Sequence, residues 1–427
     1  MQQKDNHTVI LGNGVAGNSA ASAIRKENEN GSITMISQEP FPEYRACVLS
    51  KKYIAGDIEW EKVFLKKLED YSKEGIKILF GKRVTRIDTE KGRVIINDNH
   101  TVSYDKLIIA TGGKPIVPPL PGVDKEGIFT LKSLQDAENI LRFSGRKVVV
   151  IGAGPIGIEA SISLRKRGWQ VSLVELMSRV LPTMFDEKPS SVLEKRIEDY
   201  GIQVLTGEKA TGFQGDKRVQ SVITDKREIE CDMVILVLGI RPEVGLANEA
   251  GIEIGSLGGI KVNEQMMTNV KNIYACGDCV ETRDVITGKN ILCLLWFNGK
   301  KQGEVAGYNA AENGRNFHGG MIVGGVDVLG TNAVSIGHTK SSLRGARLKV
   351  IEGETNKVYH RLLVSDGVLV GAQLIGEIPE IGPLVSAIRR HDSLKKIRSI
   401  LEDGSLLSLN PLYIKLYPFI SEGSLLT

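Results

Sequence analysis

Two short glycine patterns in this chain have the spacing that suits dinucleotide binding. The first is Gly12-Asn-Gly14-Val-Ala-Gly17, and the second is Gly152-Ala-Gly154-Pro-Ile-Gly157. In such a pattern the first glycine permits a tight turn, and the second lets the backbone approach a pyrophosphate. The third glycine lets a helix pack closely on a strand. The helix that begins there presents free N–H groups to the phosphates, so each pattern predicts a dinucleotide site.

An acidic residue follows each pattern near the position expected for a ribose-binding carboxylate, about 20 residues further on. Glu39 lies 22 residues after Gly17 (39 − 17), and Glu175 lies 18 residues after Gly157 (175 − 157). A carboxylate accepts from a free 2′-hydroxyl and repels a 2′-phosphate, so Glu175 favours NAD over NADP, whereas Arg179 nearby opposes that preference. Two sites in one chain predict a flavin enzyme, with FAD at the first site and a nicotinamide hydride donor at the second.

The elements that must position these residues alternate along the chain. Apolar, β-branched runs at His7–Leu11 and Lys147–Ile151 precede the glycine patterns, and helical stretches follow them. Ser32–Ser37 and Gln170–Glu175 are predicted as the next strands. This order is typical of α/β proteins with parallel sheets. Beyond the glycines at 319–325, short alternating segments predict antiparallel strands.

Charge, cysteine count and hydropathy exclude several classes of protein. The chain has 427 residues, with 55 Lys and Arg against 51 Asp and Glu, a net charge of +4 that does not indicate a nucleic-acid partner. No apolar run approaches the roughly 18 residues that cross a bilayer, so we expect no membrane association. Five cysteines are too few for a disulfide framework and favour a reducing compartment. The first residues lack the pattern of a signal peptide, and we therefore expect a cytoplasmic protein.

Several further motifs resemble those of the FAD-dependent pyridine nucleotide–disulfide oxidoreductases. They are most similar to the branch with coenzyme A-disulfide reductases, NADH oxidases, and ferredoxin and rubredoxin reductases. The segments that support the resemblance are Leu107–Gly113, Leu238–Pro242, Asn272–Asp278, Leu295–Trp296 and Gln302–Asn309. It implies that Asp278 binds the ribityl chain of FAD, and that Thr111 and Gly112 also contribute to cofactor binding. It further implies that Glu159 lies near the nicotinamide.

The family fold implies a particular division of the chain. Two Rossmann-like dinucleotide-binding domains would be followed by a C-terminal α+β interface domain, commonly a homodimer contact. The FAD domain would be discontinuous, at 1–112 and 243–318, with the NAD domain inserted at 113–242. Residues 319–427 would form the interface domain. The four prolines between Pro115 and Pro121 agree with a linker at the first junction, and Gly239–Pro242 is predicted as the return linker.

Cys47 is the cysteine that the sequence singles out as a candidate redox residue. It lies in the segment Pro42–Lys51, which is similar to two versions of the family. Cys-Val-Leu resembles the Cys-Ala-Leu of coenzyme A-disulfide reductases, where one redox cysteine faces the flavin. Leu-Ser-Lys resembles ferredoxin-type reductases, which place the lysine, here Lys51, near flavin N5, where a cation stabilises the reduced flavin. A thiolate beside a flavin and a lysine can act as a nucleophile, and the alternative is an inert thiol that fills space.

We expect the other four cysteines to be structural. Cys276 and Cys279 form a CxxC that overlaps the flavin motif, and no second CxxC completes a zinc site. Cys231 and Cys293 adjoin or lie within apolar runs and are predicted to pack in the core. The six histidines show no ligand spacing, so no metal site is expected.

Three functions remain open at this point. In the first, the chain oxidises NADH and passes electrons through the flavin to an unidentified acceptor, as a homodimer or as a subunit of a redox complex, and Cys47 is inert. In the second, Cys47 reduces a disulfide, persulfide or peroxide, as in coenzyme A-disulfide reductases and NADH oxidases. The third is a slow redox-sensing interaction protein.

Some sequence motifs of the family are absent from this chain, and their absence limits the substrates that we expect. The two-cysteine CxxxxC and the His-Pro…Glu element are absent, which disfavours lipoamide and glutathione as substrates. The Tyr-Pro-Pro tail of coenzyme A-disulfide reductases is also absent. The tail at Asn410–Ile420 is instead apolar, and it is either a core strand of the interface domain or a docking element for another protein.

Overall fold

A computed structural model of the chain describes residues 6–97, 100–343, 345–354, 358–378, 381–393 and 396. The apolar tail segment Asn410–Ile420 therefore lies outside the described residues. Eight α-helices are described: α1 Val15–Glu27, α2 Leu68–Lys73, α3 Leu134–Arg142, α4 Pro155–Lys166, α5 Glu187–Asp199, α6 Gly245–Glu249, α7 Trp296–Ala310 and α8 Ile381–Arg389. The short 3₁₀ and π turns are Ala46–Val48, Leu49–Tyr53 and Trp60–Val63.

The described strands number 26. The first thirteen are β1 Thr8–Leu11, β2 Ile33–Ile36, β3 Ile76–Leu79, β4 Val84–Asp88, β5 Arg93–Ile96, β6 His100–Ser103, β7 Lys106–Ile109, β8 Gly113–Pro115, β9 Ile128–Thr130, β10 Lys147–Ile151, β11 Gln170–Glu175, β12 Gln203–Thr206 and β13 Ala210–Gln214. The others are β14 Ser221–Thr224, β15 Glu228–Glu230, β16 Met233–Leu236, β17 Ile240–Pro242, β18 Ile260–Lys261, β19 Ile273–Ala275, β20 Val280–Arg283, β21 Asn290–Ile291, β22 Val323–Val328, β23 Thr331–Gly337, β24 Leu348–Glu354, β25 Val358–Ser365 and β26 Val368–Gly376.

The chain divides into two compact units. The first consists of Met1–Ala46, Glu59–Pro115 and Ile240–Met321. The second consists of Cys47–Ile58, Ile116–Gly239 and the chain from Ile322 onward. The second unit thus contains most of the expected NAD and interface domains. It also contains a short segment that the sequence analysis assigned to the FAD domain. The division into three domains remains a prediction.

The first unit is built on a five-stranded parallel sheet in the order β19-β7-β1-β2-β3. Strands β1, β2 and β7 are buried along their whole length, as expected for a sheet covered on both faces. Helix α7 packs directly on α1. An added Cβ at Gly303 or Gly307 would lie only 2.2 or 2.3 Å from the carbonyl oxygens of Ala16 and Ala20. These glycines therefore permit the close approach of the two helices.

The two junction segments are more regular than the sequence predicts. β8 and β17 pair as a two-stranded antiparallel ladder, with Lys114 opposite Arg241. Pro115 is tolerated in the ladder because it is the last residue of an edge strand. No hydrogen bond of the ladder requires an N–H at that position. From residue 116 to 120 the chain has no regular structure, as expected of a proline-rich linker.

The second unit contains its own parallel sheet, in the order β12-β11-β10-β16-β9. Strands β10 and β11 have the bounds predicted from the sequence, whereas β1 and β2 are slightly shorter than predicted. An apolar cluster lies between this sheet and the antiparallel strands β13, β14 and β15. Its members include Val149, Val174, Phe213, Val222 and Val234.

The predicted antiparallel strands form a five-stranded sheet in the order β22-β23-β26-β25-β24, also in the second unit. Asp186 connects this sheet to the segment before α5. Its carboxylate accepts hydrogen bonds from Gln373 Nε2 at 2.9 Å and from Arg361 Nε at 3.1 Å, and only 1% of the residue is exposed. Removing one partner of such a buried pair leaves an uncompensated charge, so this contact fixes how the sheet packs within the unit.

The segment Cys47–Ile58 is held by one face of α4 and by Arg167, which directly follows the helix. Ser163 Oγ donates to the backbone carbonyl of Ser50 at 2.6 Å, and Arg167 Nη1 donates to that of Ile54 at 3.4 Å. Lys166 forms an ion pair with Asp57. Because residues three apart lie on the same side of a helix, the contacts of Ser163 and Lys166 come from a single face. They explain why the segment belongs to the second unit despite its early position in the chain.

Candidate active site

The first glycine loop, between β1 and α1, shows which glycines the fold itself needs. Gly12 has a φ of +113°, and a Cβ there would lie 2.2 Å from the carbonyl oxygen of Ala110. A Cβ at Gly17 would lie 2.1 Å from the carbonyl oxygen of Gly12. At Gly14, in contrast, the added Cβ would meet no described atom within 4 Å apart from the glycine itself and its two chain neighbours. The open side of the loop at Gly14 therefore has the room that a pyrophosphate needs.

The second glycine loop, between β10 and α4, repeats this geometry. Gly152 has a φ of +110°, and its added Cβ would lie 2.5 Å from the carbonyl oxygen of Val237. At Gly157 the Cβ would lie 1.9 Å from the carbonyl oxygen of Gly152. At Gly154 it would again meet no described atom within 4 Å. Both loops thus combine two glycines required by packing with one that faces open space.

The helices after these loops begin in a way that suits a phosphate. Helix α1 has 13 residues and α4 has 12, and Gly14 and Gly154 are their N-caps. No described side chain caps either helix, and neither has an acidic residue in its first turn. The N–H groups of each first turn and the positive end of the helix dipole remain available for an anion. The residues present therefore fit a dinucleotide at both loops.

The other residues predicted to bind FAD lie at the carboxyl ends of the strands around β1. Thr111 Oγ1 donates to the carbonyl of Glu243 at 2.7 Å, and the N–H of Glu243 donates to the carbonyl of Gly112 at 2.9 Å. Glu39 follows β2 and Asp278 follows β19, and both are partly buried. The carboxyl edge of a parallel sheet is where such folds bind ligands, so the first unit brings these residues to one edge together with the glycine loop.

Sequence reasoning missed a polar network that supports the first loop. Tyr71, only 1% exposed, donates from its hydroxyl to Asn13 Oδ1 at 2.8 Å and accepts from the N–H of Glu43 at 2.9 Å. Asn13 also donates from Nδ2 to the carbonyl of Phe41 at 3.0 Å. These bonds connect the glycine loop to the segment before Cys47. Tyr71 lies 58 residues from Asn13, and no local pattern indicates that they meet.

Glu175 lies at the carboxyl end of β11, where the sequence predicts the ribose-binding acid. One carboxylate oxygen accepts from the N–H of Ala153 at 2.7 Å, and the other accepts from the N–H of Met177 at 2.8 Å. The side chain therefore also braces the second glycine loop. Each oxygen can accept more than one hydrogen bond, so the bracing leaves acceptor capacity for a ribose hydroxyl.

Arg179, the residue that opposes an NADH preference in the sequence analysis, forms hydrogen bonds within its own loop. Its Nε donates to the carbonyl of Phe185 at 3.0 Å, and Nη2 donates to that of Pro182 at 3.2 Å. Nη1 lies 3.7 Å from the Glu187 carboxylate. These contacts use two of the five N–H donors of the guanidinium and hold it within its own loop, so it is only partly available to a 2′-phosphate. The geometry thus favours NADH.

We therefore expect kcat/KM for NADH to exceed that for NADPH by roughly 5- to 150-fold, the equivalent of one hydrogen bond of ~1–3 kcal/mol. Steady-state kinetics with both nucleotides measure this ratio. Arg179→Gln is expected to leave it nearly unchanged, whereas Glu175→Gln should reduce it. Equal efficiency with both nucleotides in the wild type would contradict the assignment of Glu175.

Glu159 lies on α4 two residues after the last glycine of the loop. Its Oε2 accepts a hydrogen bond from Ser50 Oγ at 2.5 Å. Burial raises the pKa of Glu159 to about 7, the positive charge of Lys51 and the Ser50 hydrogen bond lower it, and the negative charge of Asp327 raises it. A carboxyl group that changes charge near neutral pH beside a predicted nicotinamide site is suited to respond to the charge of the nicotinamide ring.

Known proteins are similar to this chain in sequence and fold. A family model described as pyridine nucleotide-disulphide oxidoreductase matches residues 6–303, more than half of the chain. The chain belongs to this family. The predicted resemblance and the α/β fold class are thereby confirmed, and the family makes the chain an NADH-dependent flavoprotein oxidoreductase with FAD and NAD(H) as cofactors. The roles of individual residues remain predictions.

Three similar proteins illustrate the range of the family. The NADH oxidase of Methanocaldococcus jannaschii is 32% identical, with 86% of this chain and 87% of that protein covered. The assimilatory nitrate reductase electron transfer subunit of Bacillus subtilis is 28% identical, with 93% of this chain covered, and this chain spans 50% of its length. The structure of a NAD-dependent persulfide reductase from A. fulgidus is 30% identical with a TM-score of 0.88, with 92% of this chain and 78% of that chain covered.

Cysteine exposure separates the five thiols of this oxidoreductase. Cys231, Cys276, Cys279 and Cys293 are buried, whereas Cys47 is exposed. Burial raises the pKa of Cys231 to about 12 and that of Cys279 to about 11, and it raises the pKa of Cys276 well above its ordinary value. Thiols that stay protonated are poor nucleophiles, which agrees with a structural role for these three.

Among the described residues, no three or more His, Cys, Asp or Glu side chains are grouped so that they could hold a metal ion. In the same part of the chain, no helix has both the length and the apolar character needed to cross a bilayer.

Proposed function

We propose that this flavoprotein is an NADH-dependent reductase of sulfur–sulfur bonds, with Cys47 as the nucleophile. The observation that supports this function is the exposure of Cys47, in contrast to the other four cysteines. Cys47 lies in the 3₁₀ turn Ala46–Val48, directly before the turn that contains Lys51. A nearby positive charge favours the thiolate, which is the reactive form of cysteine. The similarity to a NAD-dependent persulfide reductase supports the same substrate class.

In this function the Cys47 thiolate attacks one sulfur of a disulfide or persulfide. A bond forms between Cys47 Sγ and that sulfur, the original sulfur–sulfur bond breaks, and the second sulfur leaves as a thiolate that takes up a proton. Overall, NADH, a proton and R–S–S–R′ give NAD⁺, R–SH and R′–SH. FAD, when bound, supplies the two-electron carrier between NADH and the sulfur that is reduced.

The residues of the chain have separate tasks in this scheme. Those proposed to hold FAD are Gly12, Gly14, Gly17, Glu39, Thr111, Gly112 and Asp278. Those proposed to hold NADH are Gly152, Gly154, Gly157 and Glu175. Glu159 would face the nicotinamide, where a carboxylate stabilises the positive charge that develops as hydride leaves. Lys51 would provide positive charge beside the flavin.

A second candidate is electron transfer from NADH to a protein acceptor. It is favoured by the match of 93% of this chain to a nitrate reductase electron transfer subunit, of which the chain spans only half. In that case the acceptor centre would lie on another polypeptide, and Cys47 would not be required. The expected homodimer or redox complex belongs to this proposal, and light scattering of the purified protein would measure its mass.

A panel of acceptors tests the two candidates. The enzyme would be reduced anaerobically with one equivalent of NADH and then mixed with coenzyme A disulfide, coenzyme A persulfide, oxygen or a one-electron dye. We expect reoxidation by a sulfur acceptor to be at least about tenfold faster than by oxygen, because a thiolate nucleophile acts directly on sulfur. Reoxidation by the dye alone would contradict the sulfur proposal and favour a protein acceptor.

A further inference from the structure

We propose that Ser50 is a positioning residue for the NADH half of the reaction, which favours the ionised form of the Glu159 carboxyl group and orients it on α4. The inference rests on the proposed place of Glu159 at the nicotinamide. In the motif Leu49-Ser50-Lys51, the lysine is the residue with a proposed role so far, and Ser50 would be the second.

The first support is the geometry around Ser50. Its hydroxyl donates to Glu159 Oε2 at 2.5 Å, and its carbonyl accepts from Ser163 Oγ at 2.6 Å. Glu159 and Ser163 are four residues apart, so both contacts come from the same side of α4. Ser50 itself is buried, with 4% of its surface exposed. The backbone of Ser50 is held by one turn of α4, and its hydroxyl is bonded to the Glu159 carboxylate on the preceding turn. The hydroxyl therefore has little freedom to move away from that carboxylate.

The second support is that the chain directly after Ser50 is held by contacts of its own. Tyr53, in the same π turn, donates a hydrogen bond from its hydroxyl to Glu138 on α3. Further on, Lys166 pairs with Asp57, and Arg167 donates to the carbonyl of Ile54 at 3.4 Å. Because the surrounding turn is held independently, the Ser50 hydroxyl is presented to Glu159 in one place.

The third support is electrostatic. The charged groups that act on the Glu159 carboxyl are Lys51 from the same turn and Asp327 from β22, and they oppose each other. No ion pair within 4.0 Å joins Glu159 to a Lys or Arg in the described part of the chain. The Ser50 hydroxyl is therefore the close donor that favours the charged form, and the pKa of Glu159, raised by burial to about 7, stays within reach of neutral pH.

Flavin reduction by NADH should therefore depend on pH. As pH rises through about 7, Glu159 loses its proton, and the carboxylate stabilises the charge on the nicotinamide ring as hydride leaves. Flavin reduction by NADH should therefore accelerate across this range. Removing the Ser50 donor disfavours the carboxylate, so Ser50→Ala should move the midpoint from about pH 7 to about pH 8.

Two readouts test this, one of which needs no turnover. Stopped-flow absorbance measures flavin reduction by NADH at each pH. Infrared pH titration of the purified holoenzyme without NADH follows the protonated-carboxyl band that disappears in Glu159→Gln. Ser161→Ala is the matched control, because this buried serine of α4 makes no hydrogen bond with the described residues. It should shift neither midpoint, and Ser50→Thr, which keeps the hydroxyl, should restore both toward wild type.

A double variant distinguishes loss of positioning from a folding defect caused by Ser50→Ala. In a Glu159→Gln background, Ser50→Ala should cost no more than about twofold, because its partner charge is already gone. Unmoved midpoints in Ser50→Ala, or an equal loss with and without Glu159, would overturn the positioning role. The acceptor plays no part in these measurements, so failure of the sulfur proposal would appear only in the acceptor panel.

Discussion

Cys47→Ser is expected to abolish turnover with disulfide and persulfide acceptors while flavin reduction by NADH continues at close to the wild-type rate. The hydroxyl of serine is not ionised at neutral pH, so it cannot replace a thiolate as the nucleophile that opens a sulfur–sulfur bond. Losing an essential nucleophile costs on the order of 10³-fold or more in kcat. Steady-state rates with coenzyme A disulfide and anaerobic stopped-flow reduction by NADH measure the two halves separately.

The one-electron dye is the internal control for this variant. If it still oxidises the reduced Cys47→Ser enzyme at the wild-type rate, the flavin site is intact and the loss is specific to sulfur chemistry. Unchanged turnover with a protein acceptor would support the electron-transfer candidate instead. If every acceptor fails and NADH no longer reduces the flavin, Cys47 is structural, and both functional assignments for it are wrong.

The sequence indicated the dinucleotide loops well because their signals are local. A strand, a glycine turn and a helix lie within about twenty residues, and each glycine has a steric reason that needs no distant partner. The structure confirms the strands and helices on either side of both loops, and it gives steric reasons for Gly12, Gly17, Gly152 and Gly157.

What the sequence could not indicate depends on contacts between distant segments. The hydrogen bond between Ser50 and Glu159 spans 109 residues, and that between Tyr71 and Asn13 spans 58. Neither has a periodic pattern, because single side chains make these bonds to isolated partners. For the same reason the packing of Cys47–Ile58 in the second unit was not predicted. The residues that support the candidate site are therefore less visible in the sequence than the residues expected to touch the cofactors.

The contrast between Gly154 and Gly157 separates cofactor binding from folding. Gly154→Ala should leave the fold intact, because its φ of −74° is open to alanine and the new methyl meets no described atom within 4 Å. That methyl would occupy the space that we propose for the approach of the pyrophosphate. Losing contacts of ~1–3 kcal/mol should lower kcat/KM for NADH roughly 5- to 150-fold, with FAD content and Tm unchanged.

Gly157→Ala should instead destabilise the fold, because its methyl would lie 1.9 Å from the carbonyl oxygen of Gly152. Overpacking of this kind costs about 1–3 kcal/mol or more, and each kcal/mol lowers Tm by about 2–4 °C in a domain of this size. Calorimetry measures Tm, and steady-state kinetics over a range of NADH concentrations measure kcat/KM. Gly314→Ala is the control for both, because Gly314 is exposed and its added Cβ also meets no described atom within 4 Å. A lower Tm in Gly154→Ala, or an equally large fall in kcat/KM in Gly314→Ala, would contradict the assignment of the open space at Gly154 to the phosphates.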